Sequence, residues 1–180
     1  QTRVYLCGGH LSRRGDNVAI TATNGISLVR VALPNKADLQ DACIIPSPAM
    51  SEIVKLAKGG DIVLKLDSQK IEVSVGSVVF SSKLIDATFP DADRVIPQKS
   101  DTYITIDRSE FVAAFKRLAS LAEDNSTINI KWKPGQPLDV SLSGNGSGAE
   151  TVACECEIDA GEIAFSPRIL GDMLEVVKGE

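Results

Sequence analysis

The chain has 180 residues, 43% hydrophobic and 24% charged, with a net charge of −5. That is enough apolar material for one domain core or two small ones. No apolar run approaches the ~20 residues that cross a bilayer, and the N-terminal Gln1-Thr2-Arg3-Val4 lacks the apolar stretch of a signal peptide. No membrane partner and a reducing cytoplasm are therefore the default expectations.

In chain order, Arg3-Val4-Tyr5-Leu6 reads as strand-like, and a non-Met residue directly in front of it suggests a piece of something longer. The lone His10, beside Gly8-Gly9 and near Arg13-Arg14, reads as a solvated turn residue. Val18, Ile20 and Ala22 then alternate, as do Ile62, Leu64 and Leu66 and again Ile71, Val73 and Val75; this period of two predicts half-buried antiparallel strands. Residues 128–132, a Lys133-Pro134-Gly135-Gln136 turn and residues 138–142 predict another hairpin, and 152–158 a further strand.

Between these strands one pattern occurs three times, at 44–58, 104–121 and 163–178: a short apolar strand, a polar cap and an amphipathic helix. The caps Ser47, Asp107 and Ser166 lie 60 and 59 positions apart. Ser47-Pro48 and Ser166-Pro167 place an acceptor at the N-cap and proline in the first turn, and Asp107-Arg108-Ser109-Glu110 reads as a capping box. The predicted helix stripes are Met50, Ile53, Val54 and Ala57; Phe111, Ala114, Phe115 and Leu118; and Leu170, Met173, Leu174 and Val177. The order βββ, βα-βββ, βα-βββ, βα predicts an α+β fold with antiparallel sheets. Residues 143–148 look loose, and 98–101 after Pro97 are the candidate linker between domains at 1–97 and 98–180.

The spans 48–58, 108–121 and 167–178 hold seven bases and four acids, a balance of +3, so the rest of the chain carries −8. Lys55, Lys58, Lys116, Arg117 and Arg168 lie off the apolar stripes. Solvated lysines on a helix face are the ordinary explanation; a basic surface turned toward a polyanion is the other.

Catalytic constellations are missing: no Ser or Cys stands in a nucleophile motif around His10, and no glycine-rich loop precedes a helix. Cys154 and Cys156 share a strand face without a second ligand pair, so all four cysteines are expected to be buried structural residues, with no metal, no cofactor and no catalytic site. A small thiol or metal enzyme built on Cys154 and Cys156 is the remote alternative.

The stretch from Val78 to Pro97, with Phe89-Pro90-Asp91 and Arg94-Val95-Ile96-Pro97, closely resembles the end of the middle domain of bacterial DNA polymerase III beta subunits, the beta sliding clamps. Arg3-Val4-Tyr5-Leu6, Thr21-Ala22-Thr23-Asn24-Gly25 and the stretch 101–121 extend the resemblance along nearly the whole chain. It implies a DNA-clamp fold of repeated βαβββ units, with antiparallel sheets outside and helices lining a central channel around duplex DNA. It implies a non-catalytic processivity factor, a homodimeric ring when full length. Replicative polymerase, clamp loader and repair polymerases would bind through short peptide motifs in a hydrophobic groove. The matching groove positions are Leu6, Thr23, Gly25, Leu28, Pro90, Arg94 and Val95, with Ser166 and Ile169 from the third domain; the five helix cations named above would face DNA. Where the family usually reads Asp-Gly-His-Arg-Leu this chain has Asn24-Gly25-Ile26-Ser27-Leu28, and Ser47-Pro48 replaces a frequent Arg-Lys pair. A divergent paralogue acting mainly as a peptide-binding scaffold is the alternative those departures suggest.

Overall fold

A computed structural model describes residues 3–33, 39, 41–58, 61–97 and 102–177. The expected linker at 98–101 lies outside the described residues, as do 1–2 and the end of the third repeat at 178. The chain forms two compact units, Gln1–Pro97 and Gln98–Glu180.

The first unit opens with a 3-10 turn at Val4–Cys7, closed by the Leu6 amide donating to the Arg3 carbonyl. The expected strand at Arg3-Val4-Tyr5-Leu6 is thus corrected to a turn, because its contiguous apolar residues carry no alternation to commit them to a sheet. Strands β1 (Gly8–Arg14), β2 (Asn17–Thr23), β3 (Leu28–Leu33) and β4 (Cys43–Pro46) form an antiparallel sheet in the order β3-β2-β1-β4. His10 therefore sits within a strand, where a turn was expected. The glycines before it serve close packing: a Cβ on Gly8 would meet the Ile45 carbonyl and lie 2.9 Å from Ile44 Cγ2. Helix α1 (Ser47–Ala57) follows, then a second antiparallel sheet of β5 (Val63–Leu66), β6 (Lys70–Val75) and β7 (Val78–Lys83).

The two faces of the first sheet have different covers. One presents Leu11, Val18 and Ile45 to a core shared with Ala49 of α1 and with Ile71 and Val73 of β6, which are fully buried. Met50 and Ile53 complete the α1 stripe, but Val54 is exposed, one position past the arc that reaches the sheet. The opposite face carries His10, Arg14, Thr21, Leu28 and Arg30 by strand alternation and register. A 3-10 turn at Ala92–Arg94 marks the irregular segment that lies against it.

The second unit repeats the plan. Strand β8 (Ile104–Ile106) leads into helix α2 (Arg108–Ala119), then β9 (Thr127–Trp132), β10 (Leu138–Ser143), β11 (Gly148–Val152), β12 (Cys154–Cys156), β13 (Gly161–Phe165) and helix α3 (Pro167–Val176). The sheet order is β11-β10-β9-β13, with β12 paired to β8. The single strand expected at 152–158 is thus two: Val152 opposes Leu138, the first residue of β10, and beyond it the chain turns to β8 for hydrogen bonds.

Phe111, Ala114, Phe115 and Leu118 are all buried against Ile128, Val140, Leu142 and Val152, with Leu170 from α3. Met173 and Val177 are exposed, so the third stripe narrows to Leu170 and Leu174.

The caps differ too. The Asp107 carboxylate accepts from the Glu110 amide at 2.8 Å. Ser166 stands at the N-cap of α3 without a side-chain cap bond. Pro46 is the N-cap of α1, and Ser47 instead donates its hydroxyl to the Cys7 carbonyl at 2.9 Å.

Ile71→Ala and Ile128→Ala each remove a fully buried side chain and are expected to cost about 2–5 kcal/mol in urea denaturation. Val54→Ala, at an exposed helix position, should stay within about 0.5 kcal/mol of the parent.

Candidate functional site

Thr23 and Leu28 are direct cross-strand partners at the end of the β2–β3 hairpin, on the face opposite α1. The turn between them is tightly built. Asn24 donates its amide to the Ser27 carbonyl, and its side-chain oxygen accepts from the amides of Ile26 and Ser27 at 2.9 and 2.8 Å. The Thr23 hydroxyl donates to the Ser27 carbonyl at 2.7 Å and accepts from the Gly25 amide. Gly25 has φ +90°, a backbone open to glycine and costly for a side chain, and this holds Ile26 at the tip with 77% of its surface exposed.

The segment carrying Pro90, Arg94 and Val95 is pinned to that same face. Phe89 stacks flat on His10 of β1, with ring centroids 4.5 Å apart, and meets Tyr5 of the first 3-10 turn edge-on at 6.1 Å. Four residues on, the Asp93 carboxylate takes the Arg30 guanidinium at 2.8 Å and the Arg14 guanidinium on its other oxygen. Arg30 also donates to the Thr21 hydroxyl. Asp91 caps the short turn by accepting from the Asp93 amide, leaving the Arg94 side chain 85% and Val95 68% exposed. Leu6 is half-buried in the same 3-10 turn as Tyr5. The structure therefore gathers the seven first-unit positions on one sheet face and the segments packed on it. The clasp that holds them carries no signal in the sequence, because Arg14, Arg30 and Asp93 are scattered and individually ordinary.

Electrostatics follow from this geometry. Hydrogen bonds from Arg14 and then Arg30 hold the Asp93 carboxyl below the ordinary 3.8. Burial first, and the nearby Arg14 and Arg30 charges second, push the His10 imidazole below its ordinary 6.5, so it stacks on Phe89 as the neutral ring at neutral pH.

In the second unit Ser166 is exposed and Ile169 half-buried at the start of α3. Both lie beside the exposed Arg168. Lys116 and Arg117 are exposed in the last turn of α2, but Arg117 is held bidentately by Glu150 of β11 at 2.7 and 2.9 Å. In the first unit Lys55 pairs with Glu52 at 2.7 Å, and Lys58 is exposed at the C-terminus of α1.

The cysteines depart from expectation. Cys156 is buried, Cys43 and Cys154 are half-buried, and Cys7 is exposed in the 3-10 turn. Among the described residues no group of three or more His, Cys, Asp or Glu is placed to hold a metal ion, and no helix is long and apolar enough to cross a membrane.

Residues 1–91 match the family described as DNA polymerase III beta subunit, central domain, and residues 93–180 match its C-terminal domain. The chain belongs to the DNA polymerase III beta subunit family. It is 27% identical over 188 residues to the beta sliding clamp of Bacillus subtilis, covering 99% of this chain and 50% of that protein. With the Caulobacter vibrioides clamp the figures are 29%, 99% and 51%. The crystal structure of a Bartonella birtlesii sliding clamp bound to griselimycin superposes with a TM-score of 0.90 at 31% identity, covering 99% of this chain and 51% of that one. That of a Pseudomonas aeruginosa beta subunit gives 0.89 at 29%, covering 98% and 50%. The α+β architecture is thus the sliding-clamp fold, and the chain spans about half the length of the relatives it matches.

Asp93→Asn is expected to lower the thermal midpoint at pH 7 and to loosen the 89–95 segment. The sign follows from the depressed carboxyl: its contribution is present above 3.8 and is lost as pH falls through the still lower folded value. The gap between parent and variant should therefore close in strong acid, as read by circular dichroism melts across pH. His10 acts earlier, since its disfavoured protonated form begins to cost stability as pH drops below 6.5.

Proposed function

We propose that this chain works as part of a sliding-clamp processivity factor of bacterial DNA replication, a cytoplasmic, non-catalytic protein. In the full-length homodimeric ring it would encircle duplex DNA and tether polymerases, the clamp loader and repair proteins. The observation that carries this reading is the pair of consecutive family matches over both units, central domain followed by C-terminal domain.

The peptide-binding part rests on the clasped face. Leu6, Leu28, Pro90 and Val95 supply apolar surface, and Thr23 and Gly25 shape the hairpin end. Arg94, paired only loosely with Asp91 at 3.5 Å, gives an exposed cation at the rim. Ser166 and Ile169 join them on the strength of the family resemblance. Such a surface suits a short peptide with paired apolar anchors, where a few buried side chains supply most of the energy.

The DNA-facing part assigns Lys55, Lys58, Lys116, Arg117 and Arg168 to loose phosphate contacts without base readout. A second reading, a clamp paralogue that is mainly a peptide-binding scaffold, is favoured by Ser47-Pro48 at the start of α1 and by the internal pairing of Lys55 with Glu52 and Arg117 with Glu150.

Two measurements test these parts separately. A fluorescein-labelled peptide with adjacent Leu and Phe anchors should bind in the micromolar range, about −8 kcal/mol, and be displaced by griselimycin, which the Bartonella birtlesii clamp binds. Leu28→Asp with Val95→Asp should abolish that binding; unchanged affinity would remove the groove assignment. For DNA, replacing Lys55, Lys58 and Lys116 with Glu should weaken low-salt association and lower the salt slope by about 0.9 for each phosphate no longer neutralised. Arg117→Glu should matter less, because Glu150 already occupies that guanidinium. A salt slope that ignores all four favours the scaffold.

A further inference from the structure

A cleft of about 810 Å³, with the stacked Phe89 and His10 on its lining, is contained wholly within the first unit. Its lining includes Lys70 and Lys83, which are direct cross-strand partners in the β6–β7 ladder. Like charges placed directly opposite each other destabilise a sheet. Lys70 has only a distant partner in Asp67, at 3.9 Å, and among the described residues Lys83 has no ion pair. Asp67 itself does not line the cleft; the carboxylate on the lining is the exposed Asp86, and His10 contributes its ring. The fold thus places two opposed cations, only one of them with an ion-pair partner among the described residues, on the lining of a cavity large enough for several residues of peptide.

The walls favour a peptide over a bare anion. Ile44, Ile85 and Phe89 give the cleft an apolar side. Its borders include β4, which pairs with β1 in the sheet, and the irregular 84–89 segment, which bends at Ala87 and whose Ile85 amide bonds the Ile44 carbonyl at 2.9 Å. We infer that this cleft is a second binding site, for an acidic peptide segment whose carboxylates meet Lys70 and Lys83 while an apolar side chain packs toward Ile85 and Phe89. None of the groove positions proposed above lines it, so this site stands or falls apart from the groove.

The test is fluorescence anisotropy on the full 180-residue chain with a labelled peptide of alternating Glu and Leu, and with its Gln-Leu counterpart as control. The Glu-Leu peptide should bind, weaken as salt rises, and lose about tenfold or more in affinity in Lys70→Glu/Lys83→Glu, the worth of one charge-assisted hydrogen bond. Lys83→Gln guards against misfolding: it removes the charge opposing Lys70, so binding should drop while the melting temperature holds or rises. A purely structural role for Lys83 would move the two together. The Leu28→Asp/Val95→Asp variant should retain Glu-Leu binding in full. The inference is overturned if the Glu-Leu peptide does not bind, if the Gln-Leu peptide binds equally well, or if the lysine variants keep full affinity. Loss of binding in the Leu28→Asp/Val95→Asp variant would also overturn it by placing the peptide in the groove. Efficient displacement by inorganic phosphate or by duplex DNA would overturn the peptide assignment.

Discussion

The 89–95 segment has no strand ladder of its own, and one carboxylate shared between two guanidiniums holds it in place. Asp93 takes Arg14 from β1 and Arg30 from β3, strands that flank β2 on either side, so a single residue of the irregular segment spans the width of a three-strand ribbon. Exposed ion pairs taken singly contribute little, but a network with fixed geometry contributes more, and here Phe89 against His10 supplies a second, apolar point of attachment. Two attachments four residues apart fix the path between them. Pro90 and Asp91 lie on that path, and Arg94 and Val95 leave it directly after the second anchor. The lowered pKa of His10 belongs to the same arrangement, since burial first and the Arg14 and Arg30 charges second disfavour its protonated form.

On the clamp reading, the helix cations face an opposite demand from that clasp. A surface that slides along a polyanion gains from charges that attract phosphate without locking onto any one of them. Lys58 and Lys116 meet that description, being exposed at helix C-terminal turns where the helix dipole also favours positive charge. Arg117 does not, because two short bonds to Glu150 commit its fork geometry to β11. Arg108 is further removed still: it donates to the carbonyls of Leu174 and Val177, closing the C-terminus of α3 from the start of α2. Counting bases along a helix therefore overstates the charge available to a ligand.

Sequence reading reached what local chemistry determines. The α2 stripe is buried as its spacing predicts, the Lys133-Pro134-Gly135-Gln136 turn joins β9 to β10, and Asp107 caps α2. It failed where a residue's role depends on a distant neighbour. Gly8-Gly9 looks like a turn until Ile44 and Ile45 are seen packed on Gly8; Val54 looks like core until α1 is set at its actual rotation on the sheet; Val152 to Ile158 looks like one strand until β10 ends. The candidate site divides the same way. Its proposed positions rest on the family resemblance, whereas the Arg14-Asp93-Arg30 clasp and the Lys70–Lys83 opposition are products of register, separated by up to 79 residues in the chain.

The β2–β3 tip sets an exposed apolar side chain, Ile26, on a closely hydrogen-bonded turn. An isoleucine exposed to this degree gains nothing in folding, yet the turn beneath it is closely hydrogen-bonded, with Asn24 and Thr23 satisfying three amides between them. Rigid backbone under an exposed apolar side chain lowers the entropy cost of a later contact, because little remains to be ordered when a partner arrives. Ile26-Ser27 offers no charge to pair with an acidic peptide flank. On the peptide-groove reading the hairpin end should therefore select apolar anchors, while Arg94 at the rim offers a charge for an acidic flank.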